Sequence, residues 1–183
     1  RQRQMCIRDR LRAVAEDFIK HYETRVAEGA TVAGKAMFVC SNRNIAYDFY
    51  KIVKELRPEW TEKKICDDGV VLSEKDKKEL KPMEKIKLVM TRNKDDEKDL
   101  FDMLGTKEDR KEFDRQFKNP KSNFKIAIVV DMWLTGFDVP ELDTIYIDKP
   151  IQQHTLIQTI SRVNRVCEGK DKAVSYTHLR AHE

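Results

Sequence analysis

Apolar residues recur at helical spacing through Leu11, Val14, Ala15, Phe18, Ile19, Tyr22 and Val26, and Gly29 closes the pattern. The next apolar stretch, Ala36-Met-Phe-Val-Cys40, is short and continuous, which predicts a buried strand. Ser41-Asn42-Arg43 turns the chain, and Asn42 is placed to cap a helix that carries Ile45, Phe49, Ile52, Val53 and Leu56 on one face. From about Thr61 to Lys85 the chain is dense in Lys, Glu and Asp, a pattern of a solvated excursion. Apolar runs return at Ile86–Met90, Ile126–Val130 and Thr144–Asp148, each predicting a strand. Thr106 and Asp109 have capping-box spacing ahead of a helix through Phe113 and Phe117. A last helix is predicted from about Gln153 to Val166. The Ile126–Val130 run is too continuously apolar for a sheet with one wet face. Strands alternating with helices therefore predict an α/β fold, a parallel sheet with helices on both faces.

The chain has 183 residues, 40% hydrophobic and 37% charged, enough for one core. No apolar run reaches the roughly 18 residues that a membrane-spanning helix needs. The formal charge is +4, but its location changes the picture. The first ten residues hold four Arg against one Asp, so the interior between Leu11 and Ala173 is nearly neutral. That argues against a chain that coats nucleic acid by bulk charge. Both ends, RQRQMCIRDR and VSYTHLRAHE, resemble translated sequencing-adaptor sequence. Residues 1–10 and 174–183 are therefore set aside as expected non-native tails, leaving 11–173 as the expected domain. A genuine basic arm is the alternative for the first of them. Cys40, Cys66 and Cys167 are far apart and lack His at ligand spacing, so neither a zinc site nor a disulfide framework is expected. Reduced thiols in a cytoplasmic protein are the expectation.

Gly29-Ala-Thr-Val-Ala-Gly34-Lys35 has the spacing of a phosphate loop, GxxxxGK. Such a loop needs a strand before it and a helix after it, so that helix amides face the phosphate. Here the predicted order is reversed, and Ala36 stands where a hydroxyl would hold magnesium. The segment reads as a helix-to-strand connection.

Two other segments carry chemistry. Asp131-Met-Trp-Leu-Thr135-Gly136-Phe-Asp138-Val-Pro140 leaves the carboxyl end of the most apolar strand, where open α/β sheets hold ligands. Gly136 permits close backbone approach, and Pro140 holds Val139 extended. Asp138 could accept from a ribose hydroxyl, although taken alone it reads rather as an Asx turn with its own backbone. The second segment is Gln158-Thr-Ile-Ser-Arg162-Val-Asn-Arg165. At 100° per residue, Leu156, Ile160, Val163 and Cys167 share one stripe, with Gln158, Arg162 and Arg165 opposite. No acidic residue lies between Lys149 and Glu168, so neither arginine has a helical ion-pair partner. A phosphate chain or an exposed polar face accounts for this pattern.

A TGxDVP loop followed by QxxxRxxR resembles the second RecA-like lobe of superfamily-two helicases and translocases. The strings AMFVCSNRNIA, LGTKEDRKEFDRQFKNP, KIAIVVDMWLTGFDVPELDTIYIDKP and QTISRVNRV narrow the resemblance to the motor (R) subunit of type I restriction enzymes. It spans nearly all of residues 11–173.

The resemblance implies two lobes that clamp ATP and duplex DNA, this chain being the second. It implies Arg165 as an arginine finger with Arg162 beside it, and Gln158 at the phosphates. It implies Gly136 and Asp138 at the nucleotide sugar, and Ser41, Arg43, Thr106 and Thr135 on the DNA backbone. ATP and Mg2+ would be held mainly by the first lobe, and no metal ligand is expected in this segment. The implied partners are duplex DNA and the modification and specificity subunits, with no membrane. The phosphate loop and acidic box of the first lobe are not found in this sequence, nor is a convincing nuclease core, since Glu62-Lys-Lys64 is an unspecific E-x-K triplet. The family pattern would also continue beyond Ala173 with a further strand and helices. An RNA helicase lobe of the DEAD-box kind is the nearer alternative, although that group usually has His or Gly where Ser161 and Thr159 stand. A non-catalytic α/β interaction module is the other.

Overall fold

The computed structural model describes residues 2–134, 138–150, 153–163 and 174–177. Helix α1 (Gln2–Ala27) precedes strand β1 (Lys35–Cys40) and helix α2 (Arg43–Leu56). A 3-10 turn (Pro58–Thr61) and α3 (Glu74–Glu79) lead into β2 (Ile86–Val89), then α4 (Lys98–Leu104) and α5 (Lys107–Lys118). Strands β3 (Ile126–Val129) and β4 (Leu142–Asp148), helix α6 (Gln153–Val163) and strand β5 (Val174–Thr177) complete the order. The five strands form one sheet in the order β2-β3-β1-β4-β5, and every pairing is parallel.

Alternation along β1 divides the core between two faces. Ala36, Phe38 and Cys40 pack with α1, α2 and α4, while Met37 and Val39 pack with Phe117 of α5 and with Leu134 and Val139. The first face is built around Phe18 of α1. Its ring meets Phe38 and Tyr146 edge-on at centroid distances of 5.2 and 4.7 Å, and Phe49 and Trp60 at 5.7 and 6.3 Å. The parallel sheet covered on both faces that the sequence predicts is therefore the fold observed.

The helix caps follow the sequence as well. The Asn42 carboxamide oxygen accepts from the Ile45 amide at 2.9 Å. Thr106 and Asp109 form a full capping box at the start of α5. Ser73 and Asp76 form another on α3, which gives the charged excursion some fixed structure. Backbone pairing of Lys64 with Met83, and burial of Trp60, Leu80 and Met83, tie that excursion to the body.

Four elements differ from expectation. Helix α4 was not apparent in the sequence. Helix α1 and strand β5 extend into residues 2–10 and 174–177, within the two ends set aside as tails. Arg10 of that first segment pairs with the buried carboxylate of Asp148, and Arg8 reaches Glu55 at 3.5 Å. On α6, Ile160 is 38% exposed and Thr159 is buried instead, its hydroxyl donating to the Thr155 carbonyl at 2.7 Å. The buried face of the helix is thus rotated from the stripe expected through Ile160.

The GxxxxGK segment is a helix-to-strand connection, as expected from its order. Lys35 is the first residue of β1, fully buried, and its Nζ donates to the Phe124 carbonyl at 2.5 Å. Burial, with the charge of Lys125 nearby, holds the Lys35 amine well below the usual lysine range. Lys125 is lowered too, again chiefly by burial. In the unfolded chain each amine takes up its proton below about pH 10.4. The folded state resists that proton, so its stability rises as pH climbs towards that value. Urea unfolding of the chain and of Lys35→Met is expected to show this. Between pH 7 and pH 9 the parent gains stability relative to the variant, and equal gains would refute the burial cost.

Candidate functional site at the carboxyl edge of the sheet

Parallel pairing brings the carboxyl ends of the strands to one edge. Val89 of β2 and Val39 of β1 both pair with Val129 of β3, and Cys40 of β1 pairs with Asp148 of β4. Thr91, Asp131, Ser41 and Lys149 therefore stand in one row just past the strand ends. In a sheet of this order, chain connections leave β1 and β4 in opposite directions, which opens a crevice between them. Ser41, at the end of β1, is exposed there.

Arg43 is on the same edge, and its guanidinium is already engaged. It makes a two-pronged contact with Asp96 at 2.6 and 2.7 Å and donates to the Thr91 carbonyl at 2.6 Å. Asp96 also accepts from the Asn93 amide at 2.7 Å. Burial pushes the Asp96 carboxyl up, but Arg43 and the Asn93 amide outweigh it and its pKa is lowered. Arg43 thus ties the turn after β1 to the loop after β2, reaching across the end of β3. Thr106 lies farther along the chain, exposed at the start of α5. Its hydroxyl both donates to Asp109 at 2.9 Å and accepts from the Asp109 amide at 3.2 Å.

The loop after β3 has an anchor on each side, Trp133 and Val139. Trp133 has φ of +67°, a left-handed conformation rare for a large side chain. Its ring stacks on Phe117, with centroids 5.3 Å apart, and also meets Phe124. Val139, on the far side of the loop, is buried, whereas Asp138 is exposed. Thr135 and Gly136 lie outside the described residues. Helix α6 starts five residues after β4 and exposes Gln158, with position 162 one turn further along its backbone. The side chain of Arg162, and Arg165 altogether, lie outside the described residues.

Residues 32–178 match the family model described as type I restriction enzyme subunit R domain 3. The chain belongs to the type I restriction enzyme subunit R family. It is 36% identical over 172 residues to the type I restriction enzyme HindI endonuclease subunit of Haemophilus influenzae, covering 94% of this chain and 14% of that protein. It is 37% identical over 167 residues to a putative type I restriction enzyme MjaIXP endonuclease subunit of Methanocaldococcus jannaschii, covering 91% of this chain and 13% of that one. This subunit R segment thus spans about one-seventh of the length of these relatives. Among solved structures it is similar to Mss116p DEAD-box helicase domain 2 bound to an RNA duplex, with a TM-score of 0.52 and 15% identity. That match covers 93% of this chain and 50% of the other, and it shows the fold to be that of a RecA-like helicase C-terminal lobe.

Two further residues shape this subunit R edge. For Trp133 the sequence carries a signal, an aromatic residue between a buried strand and a Gly-containing loop. Lys149 donates from its Nζ to the Val130 carbonyl and to Asp131, each at 2.9 Å. Only the sheet order brings these partners together, eighteen and nineteen residues away in sequence. Among the described residues, no group of three His, Cys, Asp or Glu could hold a metal ion, and no helix is long and apolar enough to cross a membrane.

Proposed function

We propose that residues 11–173 are the second motor lobe of a type I restriction subunit R, and that this lobe completes an ATP site whose other half lies on a first lobe. The observation that carries the reading is the shared edge. The Asp131–Pro140 loop and the start of α6 both leave the sheet at its carboxyl end, where a parallel sheet offers its ligand crevice. In this reading Gln158, Arg162 and Arg165 meet the phosphate chain, with Arg165 as the finger on the γ-phosphate. Asp138 and Gly136 meet the ribose, and the Asp138 residue is exposed. Mg2+ is held by carboxylates of the first lobe and neutralises phosphate charge when bound.

Ser41, Thr106 and Thr135 contact the backbone of duplex DNA in this reading. Backbone contacts carry little sequence information, which suits translocation along any sequence. Arg43 has a narrower part than a phosphate contact, because its guanidinium is spent on Asp96 and Thr91. It shapes the loop that meets the DNA. Modification and specificity subunits join the same complex in the cytoplasm, and the latter choose the DNA target. The two ends, 1–10 and 174–183, are proposed to be foreign to the native protein.

One lobe holds only half of such a site. Purified 11–173 is therefore expected to show no magnesium-dependent ATPase, with or without duplex DNA, in a phosphate-release assay. Turnover above background from this segment would sink the reading. A chain carrying both lobes is expected to hydrolyse ATP and to be stimulated by duplex DNA.

A further inference from the structure

The Asp131–Pro140 loop has a strained base, since Trp133 occupies the left-handed region. Such a conformation persists only where its surroundings over-determine it. On one side the Trp133 ring is stacked on Phe117. On the other side the restraint comes from Lys149. Its side chain starts one residue past β4, crosses the end of β1, and delivers Nζ to the Val130 carbonyl and the Asp131 carboxylate. Neighbouring strands are about 4.8 Å apart, so the reach spans roughly two strand spacings. The Lys149 side chain is 14% exposed and that of Asp131 is 86% exposed. The bond to the Val130 carbonyl is thus the sheltered half of the anchor, and the carboxylate the solvated half.

Lys149 also stands four residues before α6. We propose that Lys149 is a positioning residue that locks the base of the Asp131–Pro140 loop to the β4–α6 connection, holding the loop and the arginine-bearing helix in one fixed relation. Arg43 makes the matching link from β1 to the loop after β2, across β3. Two cations, each leaping one strand, thereby link the connections after β1, β2, β3 and β4 in two pairs. The structural part of the proposal stands on these bonds alone. Its consequence for turnover rests on the motor reading given above.

The test uses the full-length subunit R that carries this segment, with Lys149→Met and Asp131→Asn. Lys149→Met removes a charged donor from a sheltered carbonyl, so amide exchange across residues 131–140 is expected to rise about tenfold or more. Exchange in residues 36–40 of β1 should stay as it was. Asp131→Asn keeps the Val130 bond and lies at the surface, so it folds normally and gives a smaller rise over the same residues. The DNA-stimulated ATPase of Lys149→Met, relative to its rate without DNA, is expected to fall about tenfold, in step with the exchange rise. Unchanged exchange at 131–140 in both variants overturns the proposal. Faster exchange with unaltered DNA stimulation supports the anchor and overturns the motor reading of the loop instead.

Discussion

Replacing Arg165 by Ala in a chain that carries both lobes is expected to abolish DNA-stimulated ATP hydrolysis, with a loss of about 10³–10⁵ in kcat. The magnitude follows from what a finger does under the proposed reading. Phosphoryl transfer develops charge on the γ-phosphate oxygens, and a guanidinium stabilises that charge chiefly in the transition state. Ground-state binding gains less, so KM for ATP should move far less than kcat. Arg165→Lys keeps the charge but loses the planar fork, and should recover only a small part of the rate. Steady-state hydrolysis with saturating duplex DNA measures both. A variant that retains more than about a tenth of the parental kcat would leave these arginines as surface residues, and the interaction-module reading would gain. A tenfold loss lies far short of the roughly 10³ at the low end of a finger's effect.

How far the sequence discloses this protein depends on the range over which each signal acts. Strands β1 and β3 are legible because continuous apolar runs, AMFVC and IAIV, demand burial on both sides, and β4 shows through its Ile145-Tyr146-Ile147 centre. The caps at Asn42 and Thr106 are legible because their partners are three residues away. Helix α4 is not: KDLFDML is seven residues long, buries Leu100 and Leu104, and sits among charges that mask its period. The register of α6 is misjudged at Ile160, since helical spacing tells which residues share a stripe but not which stripe the sheet covers. The candidate site divides in the same way. The Asp131–Pro140 loop and the Gln158–Arg165 helix stand out as motifs. Yet the commitment of Arg43 to Asp96, 53 residues on, and of Lys149 to Val130 exists only once the strand order is known. Gln116 gives a further case. Its buried carboxamide bonds the Glu79 carbonyl and the Glu112 carboxylate at 2.9 and 2.8 Å, joining α5 to the end of α3, and nothing in the local sequence announces it.

The largest loss of stability is expected from Phe18→Ala. Phe18 is fully buried, and its ring joins four elements, α1, α2, the 3-10 turn and the sheet, through Phe49, Trp60, Phe38 and Tyr146. Truncation removes the apolar area of the ring and leaves a cavity whose walls come from several rigid elements. Collapse into that space would need α1 to shift against the sheet. Tyr22 and Leu11, Val14, Ala15 and Ile19 pin α1 along its length, which prevents it. The cost should therefore sit at the upper part of the roughly 3–5 kcal/mol seen for Phe→Ala in cores. Domains of this kind hold on the order of 5–15 kcal/mol in all, so the variant should lose a large share of its stability. Urea unfolding followed by tryptophan fluorescence measures it, since Trp60 lies against Phe18 with centroids 6.3 Å apart. Val71→Ala is the matched control: the side chain is 88% exposed and its loss should stay within about 0.5 kcal/mol. A change at Phe18 of less than about 1 kcal/mol, with the control unmoved, would mean that α1 is not held on the sheet by this cluster. The sheet's first face would then have to be covered by other contacts.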